Sequence, residues 1–333
     1  MTHKALNPED AALGSLLGAL VGDAAGANLE FLGNLPTDEE VERAMTMPGG
    51  GVWEIAPGQI TDDGELTLCL ARALAETDAF DLEAIANNYA AWVQSHPFDI
   101  GLTTSSSLGC FRLPQWKAIC DERGYAAAMH EAAMQLCMTS KANGSLMRAV
   151  PLGIWGHRIE DDEQLAEYAR QDSMLSHPNE SCWQAVACYV IAIASLMRQP
   201  GERILACDRA YAWANDRAND EVRSWLNDAA NNVDVPYHPH IGFAKIAFTH
   251  AFRHLYQGTP YCDALSETLS GGGDTDTNAC IVGGLIGAAC GAAAIPESMQ
   301  QAVLNCDTEC GQHPRPEFLH SQQVPVLARQ LLG

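Results

Sequence analysis

Two short acidic stretches carry the densest oxygen-donor chemistry in the 333-residue chain. The first, "ITDDGELTL", holds Thr61, Asp62 and Asp63; the second, "GGGDTDTNA", holds Asp274, Asp276 and Thr277. Each precedes a predicted helix, where Asp or Thr is an ordinary N-cap and its charge complements the positive helix end. A cap needs only one or two side chains, whereas each stretch offers two carboxylates and a hydroxyl. Hard cations account for the surplus, because Mg²⁺ takes oxygen ligands at about 2.0–2.1 Å and carboxylates, a hydroxyl and waters complete such a shell. Gly271, Gly272 and Gly273 leave the backbone free to adopt φ > 0 and to approach a ligand closely. Four carboxylates converging without a cation would repel and raise one another's pKa, and bound metal removes both problems. Glu30, in "GDAAGANLEF", is a further acid that could approach the same centre.

The elements that must carry these groups read as helices almost throughout. Apolar residues recur with helical spacing in "DLEAIANNYAAWVQ", "ESCWQAVACYVIAIASLM" and "FAKIAFTHAFRHLY", and strand-like alternation is almost absent. Thr37 with Glu40 and Asp62 with Glu65 read as capping boxes, and Pro178 stands near the start of another helix. The expected fold is all-α. No linker-like segment divides the chain, and the loops at 47–60 and 311–317 are short, so residues 1–333 read as a single domain. One internal echo aligns "GALVGDAAGA" from Gly18 with "GGLIGAACGA" from Gly283. Small residues on a helix face let backbones approach closely, so these two segments are expected to be central, tightly packed helices. If they pack together, Glu30 comes near the 274–277 stretch.

Bulk properties exclude several functions. A net charge of −23 and no Lys/Arg run argue against nucleic acid and anionic lipid as partners. The segment "AALGSLLGALVG" is preceded by Glu9 and Asp10, where a signal peptide carries positive charge, and "ACIVGGLIGAACGAAAI" is too short and Gly/Ala-rich for a span. None of the twelve cysteines forms a Cys-x-x-Cys pair, and Cys69, Cys188, Cys280 and Cys290 lie in apolar helical stretches, which fits a reducing, cytoplasmic setting.

Taken in order, "GALVGDAAGANLEF", "TDDGELTL", "HPFDIGLTT", "ANGSLMRAVPLG", "SHPNES" and "GGGDTDTNA" resemble the successive motifs of the ADP-ribosylglycohydrolase family, which includes the dinitrogenase-reductase-activating glycohydrolases. The resemblance implies a compact, orthogonal multi-helix domain and a two-metal centre of Mg²⁺ or Mn²⁺. It implies an enzyme that removes ADP-ribose from modified proteins or related small molecules. It assigns Thr61, Asp62, Asp63, Asp274, Asp276 and Thr277 as metal ligands and Glu30 as the nearby acid. Gly101, Thr103, Thr104, Asn143, Gly144 and Ser145 become the loops that wrap the ADP-ribose, with backbone N–H groups for the pyrophosphate, and His177 a neighbour of phosphate or ribose. Gly64 departs from the hydroxyl residue more often found after the paired aspartates.

A mechanism follows. Paired cations can hold vicinal ribose hydroxyls and activate water for cleavage at the anomeric carbon through an oxocarbenium-like transition state. Glu30, or a ligating carboxylate such as Asp63 or Asp276, positions or deprotonates that water, and Asp99 assists the leaving group. A departing guanidine would suit a two-pronged hydrogen bond to Asp99, and it is mainly the resemblance to the bacterial-type arginine hydrolases that implies ADP-ribosyl-arginine as the substrate. Two other functions are open to the same residues. One is an immunity factor that blocks an ADP-ribosyltransferase toxin by contact, and the other is a hydrolase of ADP-ribose or small ADP-ribosyl compounds.

Overall fold

A computed structural model describes residues 6–333. The chain runs through α1 (Pro8–Gly26), α2 (Asp38–Ala44), α3 (Asp62–Ala75), α4 (Leu82–Gln94), α5 (Leu102–Leu108) and α6 (Pro114–Arg123). It continues through α7 (Tyr125–Leu136), α8 (Val150–Trp155), α9 (Asp162–Ser173), α10 (Glu180–Arg198), α11 (Arg203–Arg217) and α12 (Asp220–Ala230). The last five are α13 (Ala244–Gln257), α14 (Tyr261–Ser270), α15 (Thr275–Cys290), α16 (Glu297–Leu304) and α17 (Val324–Leu332). Among the described residues the only β-type pairings are two isolated bridges, Gly50–Ile55 and Ala142–Phe243. The architecture is all-α.

At the centre, α1 and α15 lie antiparallel with their backbones in direct contact. A Cβ added to Gly14 would stand 2.4 Å from the Gly287 carbonyl oxygen, one on Gly18 2.3 Å from that of Gly283, and one on Gly22 2.1 Å from that of Ala279. At the far end a Cβ on Gly26 would fall 2.4 Å from Asp276 Cα. The spacing of four residues keeps the glycines on one helix face, and each step up α1 is matched by a step down α15. The echo between the two segments is thus a shared small-residue stripe, running in opposite directions. Buried hydroxyls seal the contact: Tyr261 donates to Gly18 O at 2.8 Å, Ser15 to Gly284 O at 2.9 Å and Thr275 to Gly26 O at 2.8 Å. Dispersion along the contact and burial of flanking Leu16, Leu20, Ile281 and Leu285 offset the helix penalty of the glycines, about 1 kcal/mol each.

Around this pair, α13, α14 and α10 pack on α15, while α3, α8, α16 and α17 pack on α1. Helix α10 is long and apolar enough to cross a membrane, yet 89% of that stretch is buried inside the fold, so its composition is that of a core helix. All twelve cysteines are unpaired thiols.

Local signals hold at some helix ends and yield at others. Thr37 and Glu40 form the expected capping box, with Glu40 N–H donating to Thr37 Oγ1 and Thr37 N–H donating to Glu40 Oε2. The box expected from Asp62 and Glu65 does not form. Thr61 occupies the N-cap of α3 without a side-chain cap bond, and Glu65 is buried against Arg315, which donates from Nε to Oε1 at 2.6 Å and from Nη2 to Oε2 at 3.0 Å. A buried carboxylate requires such a partner, and Trp92 adds a third donor at 2.7 Å.

The stripe makes a direct test. Gly22→Ala inserts a methyl into the Ala279 backbone and is expected to cost about 1–3 kcal/mol. Gly33→Ala, at an exposed glycine with nothing within 4 Å, is expected to stay within about 0.5 kcal/mol of the parent. Urea denaturation of both variants measures the difference, and equal midpoints would contradict the close contact.

Candidate active site

The antiparallel contact delivers the C-terminal end of α1 to the N-terminal end of α15. Asp23 therefore meets the 274–277 stretch, and the N-terminus of α3 closes on the same point. Asp23 is fully buried and takes over the capping that Thr61 leaves undone: its carboxylate accepts from Thr61 N–H at 3.0 Å, from Gly64 N–H at 2.8 Å and from Thr61 Oγ1 at 2.8 Å. A Cβ at residue 64 would stand 2.7 Å from Asp23 Oδ2, so the departure at Gly64 has a physical reason. A side chain there would collide with the cap.

Asp63 lies behind the surface with Thr277 Oγ1 and Thr61 Oγ1 both 3.3 Å from its Oδ2, while its Oδ1 is buried with no hydrogen-bond partner. Asp274, the N-cap of α15, accepts from Asn143 Nδ2 at 2.7 Å, and Thr277 N–H donates to Asp276 Oδ1 at 2.8 Å. Carboxylate oxygens of Asp23, Asp63 and Asp276 lie within 4.8 Å of one another, as do those of Glu30, Asp99 and Asp276. The two groups share Asp276.

These acids form the floor and one side of a cleft of about 490 Å³. Asp62, Asp99, Glu30, Asp274, Asp276 and Thr277 line it, and among the described residues no lysine or arginine does. Burial pushes every one of the seven carboxyls upward, and neighbouring acids add to it in all but Asp274: Asp23 rises to about 7, Asp99 to about 6 and Glu30 to about 8. For Asp62, Asp63 and Asp276 the direction is strongly upward, with burial the first cause and neighbouring acids the next. Asp274 is raised by burial, against hydrogen bonds led by that from Asn143. Two helix N-termini aim their positive ends at this floor but do not balance it. An all-oxygen donor set, an orphaned Asp63 oxygen and excess negative charge together fit divalent cations.

The opposite side is built from the loops that sequence pointed to. Gly101 is the N-cap of α5, and Thr103, Thr104, Asn143, Gly144 and His177 line the cleft with it. Thr103 Oγ1 is tied to Ser140 Oγ at 2.9 Å. A Cβ on Gly144 would fall 2.8 Å from His177 Cε1 and 3.0 Å from Thr104 Oγ1, so glycine is what lets these three meet. Two expectations change. Ser145 is buried, with its hydroxyl accepting from Ser173 Oγ at 2.9 Å, and stands behind the lining. The Asn143 N–H, expected to face a ligand, donates to Gly242 O at 3.1 Å, which braces this loop against residues 242–244.

His177 is held by a buried ion pair. Arg148 donates from Nε to Asp172 Oδ2 at 3.2 Å and from Nη1 to Ser176 Oγ at 2.9 Å, and Tyr89 donates to Asp172 Oδ1 at 2.7 Å. Ser176 Oγ is 2.9 Å from His177 Nδ1. Burial and then the Arg148 charge lower the imidazole pKa to about 3, so the ring is neutral. With Nδ1 facing the serine hydroxyl, Nε2–H is the face left for the cleft.

Sequence reasoning missed Asp23, although an ionisable residue inside an apolar, glycine-rich helix was signal enough. It also missed the aromatic wall. Trp53 Nε1 donates to Glu30 Oε2 at 2.8 Å, and Phe31, at φ 58°, and Ile241 complete the mouth. A single aromatic in a loop carries no periodic mark.

Comparisons with known proteins bear on the chain as a whole. A family model described as ADP-ribosylglycohydrolase matches residues 4–332. The chain is 30% identical over 297 residues to the ADP-ribosyl-[dinitrogen reductase] glycohydrolase of Rhodospirillum rubrum, covering 86% of this chain and 88% of that one. Over 113 residues it is 40% identical to the ADP-ribosylarginine hydrolase Tri1 of Pseudomonas putida, 31% of this chain and 29% of the relative. A solved "ADP-ribosylglycohydrolase-related protein complex" shares the fold with a TM-score of 0.73, at 22% identity and 98% coverage of both chains. The chain belongs to the ADP-ribosylglycohydrolase family.

Proposed function

We propose that this enzyme is a divalent-cation-dependent hydrolase that releases ADP-ribose from arginine side chains of modified proteins. The observation that carries the reading is the pair of carboxylate groups sharing Asp276 at the floor of a cleft that, among the described residues, no lysine or arginine lines. Such a floor suits two Mg²⁺ or Mn²⁺ ions, held by Asp62, Asp63, Asp274 and Asp276 with Thr61 and Thr277. Asp23 joins them, although sequence had not named it. When bound, the cations offset the carboxylate charge and supply Lewis-acid and template chemistry toward ribose hydroxyls and water.

The chain's own groups divide the remaining work. Asn143 fixes Asp274, and Asp23 fixes the first turn of α3, so the floor is set before substrate arrives. Gly144, Thr104 and His177 form a close-packed wall for the ADP-ribose, where neutral His177 donates from Nε2 to a phosphate or ribose oxygen. The N–H groups of Gly101 and Gly144 stay assigned to the pyrophosphate, without those of Asn143 and Ser145. Glu30 and Asp99 face the leaving-group end. Glu30 orients water and takes its proton, and Asp99 accepts hydrogen bonds from the departing guanidine, whose charge matches an acidic cleft. The printed names of the Rhodospirillum and Pseudomonas relatives, one a dinitrogen reductase glycohydrolase and one an arginine hydrolase, favour arginine over other linkages. Unpaired cysteines throughout suit work in a reducing compartment such as the cytoplasm.

Incubation of an arginine-ADP-ribosylated protein with the enzyme and Mg²⁺ is expected to release ADP-ribose, seen as the corresponding mass loss, and EDTA is expected to stop it. Asp62→Ala and Asp276→Ala are expected to lower the rate on the order of 100-fold while retaining a helical circular-dichroism spectrum. Wild-type rates in either variant would sink the ligand assignment, and no release from wild type would sink the enzyme reading.

Stability against pH gives an independent test. Asp23 and Glu30 are raised on folding, so their contribution is fully present below the unfolded carboxylate range and is lost as pH rises through about 7 to 8. In EDTA the thermal midpoint should therefore fall between about pH 5 and about pH 8. Cations bind the ionised form and only the folded chain, so millimolar Mg²⁺ or Mn²⁺ should raise the midpoint more at the higher pH. An equal shift at both, or none, would count against cation binding at these acids.

A further inference from the structure

Behind the leaving-group end of the cleft runs the segment between α16 and α17. It is bound on one side to the loop that carries Trp53: Gln312 N–H donates to Glu54 O at 3.3 Å, and Gln59 Nε2 donates to His313 O at 2.8 Å. A Cβ on Gly311 would stand 2.6 Å from Ala56 N, so the two segments touch backbone to backbone. On the other side Arg315 Nη1 donates to Ser95 O at 3.1 Å and to His96 O at 3.3 Å, reaching the loop that carries Phe98 and Asp99. His313 sits between these anchors.

Its ring lies flat on Phe98, with centroids 4.4 Å apart and planes inclined by 16°. Phe98 meets Trp53 edge-on at 6.1 Å, and the Trp53 indole N–H donates to Glu30. Phe31 also meets Trp53 edge-on, at 6.3 Å, and is itself 60% exposed. Of these two rings Phe98 is the less exposed, and His313 covers one of its faces. Neither His313 nor Phe98 is part of the cleft lining.

We propose that His313 is a positioning residue for Glu30, acting through Phe98 and Trp53. The proposal rests on reading the cleft as the active site, and adds a residue more than 280 positions from Glu30 in sequence to its machinery. Removing the imidazole leaves Phe98 free to tilt into the vacated space. The indole follows, and Glu30 loses the hydrogen bond that holds its carboxylate toward Asp99 and Asp276. The ring acts by its flat face, so another flat ring should serve in its place.

Two measurements on the full chain test this. In ¹⁵N-labelled protein without substrate, the Trp53 indole N–H resonance is identified by its loss in Trp53→Phe. His313→Ala is expected to shift that resonance toward a weaker hydrogen bond, and His313→Phe to leave it near the wild-type position. On an arginine-ADP-ribosylated peptide with Mg²⁺, His313→Ala is expected to lower kcat roughly 3- to 10-fold, the size of one aromatic contact, with KM little changed. His313→Phe should restore kcat, and Trp53→Phe/His313→Ala should be no slower than Trp53→Phe alone. An unmoved Trp53 resonance in His313→Ala, a His313→Phe variant as impaired as His313→Ala, or additive losses in the double variant would each overturn it. If wild type hydrolyses nothing, the proposed function fails, and the resonance still decides the positioning proposal.

Discussion

The contact between α1 and α15 is the constraint from which the site follows. Two helices whose backbones meet with no room for a β-carbon cannot slide or rotate without collision, because each glycine of one fits against a carbonyl of the other. That fit fixes register as well as distance. With Gly26 seated on Asp276, the acid one turn earlier, Asp23, and the acid one turn later, Glu30, are placed on either side of the α15 N-terminus. A looser interface built from leucines would hold the helices apart by a side chain's length, and the carboxylates would not converge.

Convergence creates the second problem, like charge in a buried place. Seven carboxyls crowd at or just behind the floor, and their pKa values rise together, through burial in all seven and repulsion as well in every one but Asp274. The fold answers in part with oriented dipoles. Asp23 collects the free N–H groups at the start of α3, Asp274 takes the Asn143 amide, and two helix N-termini point inward. None of these brings a full positive charge. The deficit is what makes the site fit for hard cations, and it gives cation binding a direct link to folding stability.

Rigidity of the surrounding loops has a different origin, two buried arginine–carboxylate pairs. Arg148 with Asp172 holds Ser176 and through it His177, while Arg315 with Glu65 ties the C-terminal segment to α3 and to the loop before α5. Breaking a buried pair by removing one partner costs about 3–5 kcal/mol, so each acts as a switch-free anchor. The Arg315 anchor also places His313 against Phe98, which gives the site a support from a part of the chain far from every acidic motif.

Local facts could be read from the residues alone. Helical periodicity fixed the all-α class, because a period of 3.6 is written into each segment alone. The stretches at 61–63 and 274–277 carried more oxygen donors than capping needs, and the small-residue stripes of α1 and α15 marked helices meant to touch. Tertiary structure decided which donor serves which end. Asp23 rather than Asp62 and Glu65 caps α3, Glu65 turns instead to Arg315, and the Asn143 N–H goes to Gly242 while Ser145 turns away from the cleft. Each of these pairs joins residues that no local period or cap rule relates. A buried polar group takes whichever partner the packed helices bring within reach, and that partner is not known until they have packed.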